Sequence, residues 1–101
     1  MNSEDRGLAK ARKHAMDLKL IKKPEEIQIS HIRQKRFTVY LPSGKKIHFG
    51  IWPPAQGTYL DHGDKAKRSA YRARHGAILR GGKKAYLNPE SPAYWSWNVL
   101  W

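Results

Sequence analysis

The apolar positions of this chain follow a helical period first, an alternating period next, and a helical period again. Leu8, Ala11, Ala15 and Leu18 recur at helical spacing, with Lys10, Arg12, Lys13 and Lys19 beside the stripe. Ser3 suits an N-cap, Glu4 and Asp5 face the positive end of the helix dipole, and Pro24 stops the segment after Lys22 and Lys23. These signals predict a helix over Ser3–Lys23, weakened at Gly7. Its apolar stripe is narrow. Either it meets a partner surface, with Leu8 and Leu18 as anchors, or it is a solvated basic arm.

Alternation replaces helical spacing from Arg36 to Gly50. Pro42 and Gly44 fit a type I turn followed by a G1 bulge. That turn sets Leu41 opposite Lys45, hence Val39 opposite Ile47 and Phe37 opposite Phe49, with both apolar pairs on one face. Ile27, Ile29 and Ile32 are candidates for a third strand. Ile51–Gly63 reads as a loop. A second helix, Asp64–Leu79, carries Ala66, Ala70, Ala73 and Ala77 on one face, with Tyr71 and Ile78 alongside. Small residues there would let it lie close against the hairpin. Asp61 or Asp64 caps it and Gly81-Gly82 ends it. Ser91 and Pro92 then open a short last helix, with Tyr94, Trp97 and Trp101 on one face and Trp95 beside them.

The pattern describes one small α+β domain, and 101 residues allow no more than that. A three-stranded antiparallel sheet or hairpin is packed by the basic helix and closed by the aromatic helix. Residues 27–101 form this domain and residues 1–26 a basic N-terminal helical arm. The chain has no cysteine, so disulfides and thiolate metal sites are excluded. No apolar run is long enough for a membrane span, and the first residues do not read as a signal peptide.

Charge changes the picture more. Twenty Lys and Arg against eight Asp and Glu give +12, which favours nucleic acid, an anionic surface or an acidic protein. The candidate contacts are Lys65, Lys67, Arg68, Arg72, Arg74, Arg80, Lys83 and Lys84. They suit either the phosphates of nucleic acid, with steep salt dependence, or acidic groups on a protein. Most of the aromatic residues serve the core. Four tryptophans are many for so small an interior, and Trp52, beside Pro53-Pro54, is the first candidate for a surface anchor.

The remaining chemistry is thin. Asp61-His62-Gly63-Asp64 with His75 makes no standard ligand set, and helix capping accounts for the acids better than a metal does. No nucleophile or paired carboxylate accompanies His75, so the chain does not read as an enzyme. Neither Gly44-Lys45 nor Gly81-Gly82-Lys83 has the context of a phosphate-binding loop. No cofactor, metal or small-molecule substrate is expected.

In order, Phe37–Gly50 with its Pro42-Ser43-Gly44-Lys45 turn, Asp61-His62-Gly63-Asp64-Lys65, Tyr71-Arg72-Ala73-Arg74-His75, and Asn88–Ser96 with Leu100-Trp101 form a series. It resembles a group of small basic virion proteins of nucleocytoplasmic large DNA viruses. The resemblance spans Arg36 to Trp101, and residues 1–34 have no counterpart in it. Tyr86 stands where that group carries a tryptophan. The resemblance implies a minor capsid component that bridges larger coat subunits, made in the host cytoplasm and located in the virion. A virion nucleic-acid-binding or packaging protein is the alternative, and a regulatory protein acting in infected cells a third.

Overall fold

The structure, a computed structural model, describes residues 6–53, 57–80 and 82–101. The hairpin follows its turn chemistry. Strands β2 (Lys35–Tyr40) and β3 (Lys46–Ile51) pair antiparallel, with Phe37 opposite Phe49 and Val39 opposite Ile47. The Leu41 N–H reaches the Lys45 carbonyl at 2.8 Å, and Gly44 closes the turn at φ 93°. An L side chain is strained at that φ, so glycine is required. Strand β1 (Ile27–Ile29) adds to the other side of β2, giving the order β1-β2-β3. Ile32 is not part of that strand and is exposed.

One face of the sheet carries Ile27, Phe37, Val39, Ile47 and Phe49 into the core. Helix α1 (Leu8–Asp17) packs there through Ala11 and Ala15, both wholly buried, with Leu8 partly buried against the same cluster. The partner surface for this helix is therefore the chain's own sheet, and it does not stand apart as an arm. It is also shorter than Ser3–Lys23; the expected Ser3 cap lies outside the described residues. Its end is a Schellman motif. Lys19 takes φ 60°, its N–H bonds the Met16 carbonyl at 3.0 Å, and the Leu20 N–H bonds the Ala15 carbonyl at 2.9 Å. The reversal returns Leu20 and Ile21 to the core.

Residues 57–63 are not simply a loop, because Tyr59–His62 forms a helical turn, α2, capped by Thr58 and Asp61. Asp64 caps the next helix, α3 (Lys65–His75), accepting from the Ala66 and Lys67 N–H groups. This helix stops at Gly76, short of Leu79. A Cβ on Gly76 would lie 2.7 Å from the Arg72 carbonyl and 3.6 Å from Trp97. Leu79–Arg80 (β4) instead pairs with Lys83–Lys84 (β5). The expected packing of α3 is reversed. Ala66, Ala70, Ala73 and Ala77 are exposed, while Tyr71 is buried and Arg68, Arg72 and His75 are partly covered. Rings and guanidinium stems bury more apolar area than methyl groups, so they take the inward face.

Ser91 caps α4 (Pro92–Trp95) by accepting from the Ala93 N–H, and Ser96–Leu100 continues as a π-helical turn. The wider turn divides the aromatics. Trp95, Val99 and Leu100 enter the sheet core, while Trp97 and Trp101 face α3. None of the described helices is long and apolar enough to cross a membrane.

The segments are joined at Arg36, whose side chain is 1% exposed. Its guanidinium grips Asp61 with two bonds of 2.7 and 2.8 Å and donates to the Arg6 carbonyl at 2.6 and 2.9 Å. Partial burial pushes the Asp61 carboxyl up. The Arg36 hydrogen bonds and the Thr58 N–H outweigh this and hold it at about 2, against an ordinary 3.8. The stabilisation is fully present above about pH 4 and drains away as pH falls toward 2. Asp61→Asn should cost about 3 kcal/mol at neutral pH, since it leaves a buried charge poorly matched. Urea midpoints measured from pH 5 to pH 2 should show a shallower slope in that variant. Deleting residues 97–101 removes on the order of 8 kcal/mol of apolar burial, about the whole net stability of a small domain. Circular dichroism should find that truncated chain unfolded.

Candidate functional site

The eight basic residues expected to form one contact face fall into two groups. Lys65, Lys67 and Arg74 on α3, and Lys83 and Lys84 on β5, are exposed. The Arg80 side chain lies outside the described residues. Arg68 and Arg72 turn inward. The Arg68 Nε donates to the Trp101 backbone oxygen at 2.7 Å, and its guanidinium lies 4.8 Å from the Tyr59 ring. Arg72 lies 4.9 Å from the Trp97 ring. Burial, then the nearby Arg68 charge, lowers the Arg72 pKa from its ordinary value. These two arginines build the domain and are not available as a free phosphate-binding pair.

The anchors divide in the same way. Trp52 is half-buried between two guanidinium groups, Arg6 at 5.1 Å and Arg36 at 5.3 Å. Leu8 packs on the core. Leu18, 47% exposed, is the one of the three left open.

Most tryptophans are engaged in one kind of contact. Trp101 stacks on Tyr71 at 4.4 Å, Tyr71 stacks on His75 at 4.0 Å, and Trp97 stacks on Tyr86 at 4.0 Å. Among the described residues, three buried side-chain nitrogens lack a hydrogen-bond acceptor: Arg6 Nε, His62 Nε2 and Arg72 Nε. Each belongs to a side chain against a tryptophan ring, namely Trp52, Trp101 and Trp97 respectively. The two arginines lie within cation–π distance of their rings, and His62 meets its ring edge-on. His62 also accepts the Asp64 N–H through Nδ1, which leaves the proton on Nε2. The fourth tryptophan, Trp95, is buried and donates Nε1–H to the Pro89 carbonyl at 2.8 Å. Arg68, Tyr71, Arg72 and His75 follow i, i+3, i+4, i+7 spacing in the sequence. That signal for a buried face is masked because three of the four are basic.

Asp61, His62 and Asp64 are thus occupied by the Arg36 pair and by helix capping. His75 lies against Tyr71, and burial, then Arg74, lowers its pKa. Burial also raises the Tyr71 hydroxyl to about 12. Beside the Trp101–Tyr71–His75 stack runs a cleft of about 460 Å³, lined also by Ile51, Pro53 and Leu100. Ile51 stands at the end of β3, 70% exposed, and Lys35 lies on the same lining. Its size is within the range of ligand-binding clefts. A largely apolar lining beside one lysine and a histidine with a lowered pKa suits an apolar side chain better than an anion.

No curated protein and no solved structure matches the chain. The family described as a family of unknown function, DUF5754, matches residues 25–75, from the turn before β1 to the end of α3. That span holds the sheet, the Arg36–Asp61 pair and the whole of the basic helix, which is half of the chain. The chain therefore belongs to the DUF5754 family.

Proposed function

We propose that the protein is a structural component of the virion of a large DNA virus, a minor capsid protein seated between larger coat subunits. One observation carries this reading: the exposed Ile51 stands at an apolar cleft on a chain of net charge +12. Apolar side chains within a basic surface suit an acidic protein neighbour with its own apolar anchor, the usual mix of a protein interface. Leu18 at the end of α1 and Leu87 after β5 are further exposed apolar side chains of the kind a bridging protein needs. The resemblance of Arg36–Trp101 to small virion proteins points the same way.

The alternative, a packaging protein that neutralises phosphate, draws on Lys65, Lys67, Arg74, Lys83 and Lys84. These flank exposed alanines on α3 or lie on the short β5 strand, so a backbone can approach them closely.

Separating purified virions into shell and genome core, followed by mass spectrometry, tests the main reading. We expect the protein in the shell fraction, with cross-links to coat subunits that Ile51→Asp reduces. Recovery only with the genome core would remove it. A second measurement tests the division of the basic residues. Arg72→Ala should destabilise the fold by about 1–2 kcal/mol, through lost cation–π contact and stem packing. The combined Lys65/Lys67/Arg74→Ala variant should change stability by less than Arg72→Ala does, since exposed substitutions each stay within about 0.5 kcal/mol of neutral. Thermal unfolding of the two variants would show whether that ranking holds.

A further inference from the structure

The sheet has a second face. Arg36, Thr38 and Tyr40 alternate along β2 and point away from the apolar core. The Arg36 end of this face is closed by Arg6, Trp52 and Thr58–Asp61. The Tyr40 end is open. There Thr38 lies opposite His48 and Tyr40 opposite Lys46.

This open end holds a positioned ring. His48 Nδ1 is bonded to the Thr38 hydroxyl at 2.7 Å and the Ser30 hydroxyl at 2.9 Å. Both hydroxyl side chains are almost wholly buried, so they fix the ring from beneath. Its Nε2 makes no hydrogen bond among the described residues. The exposed His31 ring meets His48 edge-on at 5.5 Å. One row further along, Tyr40 is 38% exposed and Lys46 Nζ stands 5.7 Å from its ring centroid. The two rows are about 6.7 Å apart along the strand. None of Ser30, His31, Thr38, Tyr40, Lys46 and His48 is acidic. Burial, then the charges of His31, Lys46 and Lys35, lowers the His48 pKa.

We propose that this open end of the sheet binds single-stranded nucleic acid. One base stacks on Tyr40, a neighbouring base lies against His31 and His48, and Lys46 meets the phosphate between them. Planar rings on adjacent rows with a cation beside them are what a splayed strand requires. An acidic polypeptide would use the cations and leave the rings without a role. The described aromatics elsewhere meet other rings or guanidinium groups, as Trp52, Tyr59, Tyr71 and Trp97 do, whereas Tyr40 and His31 are exposed. The inference is independent of where the protein sits in a virion, since its test uses the purified chain.

The experiment is a fluorescence anisotropy titration of the full chain with labelled oligothymidylate of about 15 nucleotides. A duplex of equal length is titrated in parallel, at about 50 and 200 mM salt. The single strand should bind more tightly than the duplex. Tyr40→Ala should weaken it about tenfold, the scale of one lost stacking contact. Tyr40→Phe should leave it unchanged, and Lys46→Ala should reduce the salt slope by about 0.7. Unchanged melting temperatures would show that both alanine variants fold. The proposal fails if no single strand binds at the lower salt, or if Tyr40→Ala binds as tightly as the parent. It also fails if polyglutamate displaces the strand with Tyr40→Ala having no effect, which would assign the face to acidic protein. Loss of all binding on Lys65/Lys67/Arg74→Ala alone would move the contact to α3 and overturn it equally.

Discussion

A guanidinium shut away from water must have its charge and its N–H groups matched, or the desolvation cost of several kcal/mol stands uncompensated. Arg36 meets this condition with a bidentate carboxylate and a doubly engaged carbonyl, the strongest geometry open to arginine. Its partners come from Arg6 and Asp61, far apart in sequence, so one side chain fixes two segments to the middle strand. The surroundings are shaped for it. A Cβ on Gly7 would lie 2.9 Å from the Arg36 Nη2 atom, and one on Gly50 would lie 3.0 Å from the Arg36 Cβ. Both glycines also hold φ near 80°, so side chains are excluded there twice over.

A second constraint follows from composition. A chain with twenty Lys and Arg and few large aliphatic residues cannot close a core on Leu and Ile alone. Here the flat faces of tryptophan receive cations while the ring bodies exclude water. Arg6 on Trp52 and Arg72 on Trp97 are two instances of this solution, and the His62 ring meets Trp101 edge-on beside them. Positive charge becomes part of the packing, and the aromatic residues near position 101 become a receiving surface for α3.

The parts of the fold that were legible in sequence are those fixed by local chemistry. The Pro42–Gly44 turn and the alternation around it determine the register, and every pair along β2 and β3 follows from that. Ser91 and Asp64 announce their helices because capping is a short-range hydrogen bond. The end of α1 was not legible. Its Schellman motif uses Lys19 at a left-handed position, a conformation a lysine adopts only when the returning Leu20 and Ile21 offset its strain. The face of α3 was misread because exposed arginine is the usual expectation. Only the placement of Trp97 and Trp101 makes Arg68 and Arg72 inward residues. Arg36 sits at an outward position of an alternating strand, and nothing local to it tells of a carboxylate 25 residues on.

The polar face of the sheet joins these threads. At one end Arg36 ties it down. At the other, a buried pair of hydroxyls orients His48 although no core packing requires that ring. The edge of the sheet at β1 is guarded, since the Arg12 Nε takes the Ile27 carbonyl at 2.9 Å. Strand addition is therefore opposed there, as in other proteins that protect their edges. A ligand reaching this side meets the face before it meets a free ladder of backbone groups. Because His48 is already held, binding at that face orders little that is not ordered beforehand, and the entropic cost of association is correspondingly small.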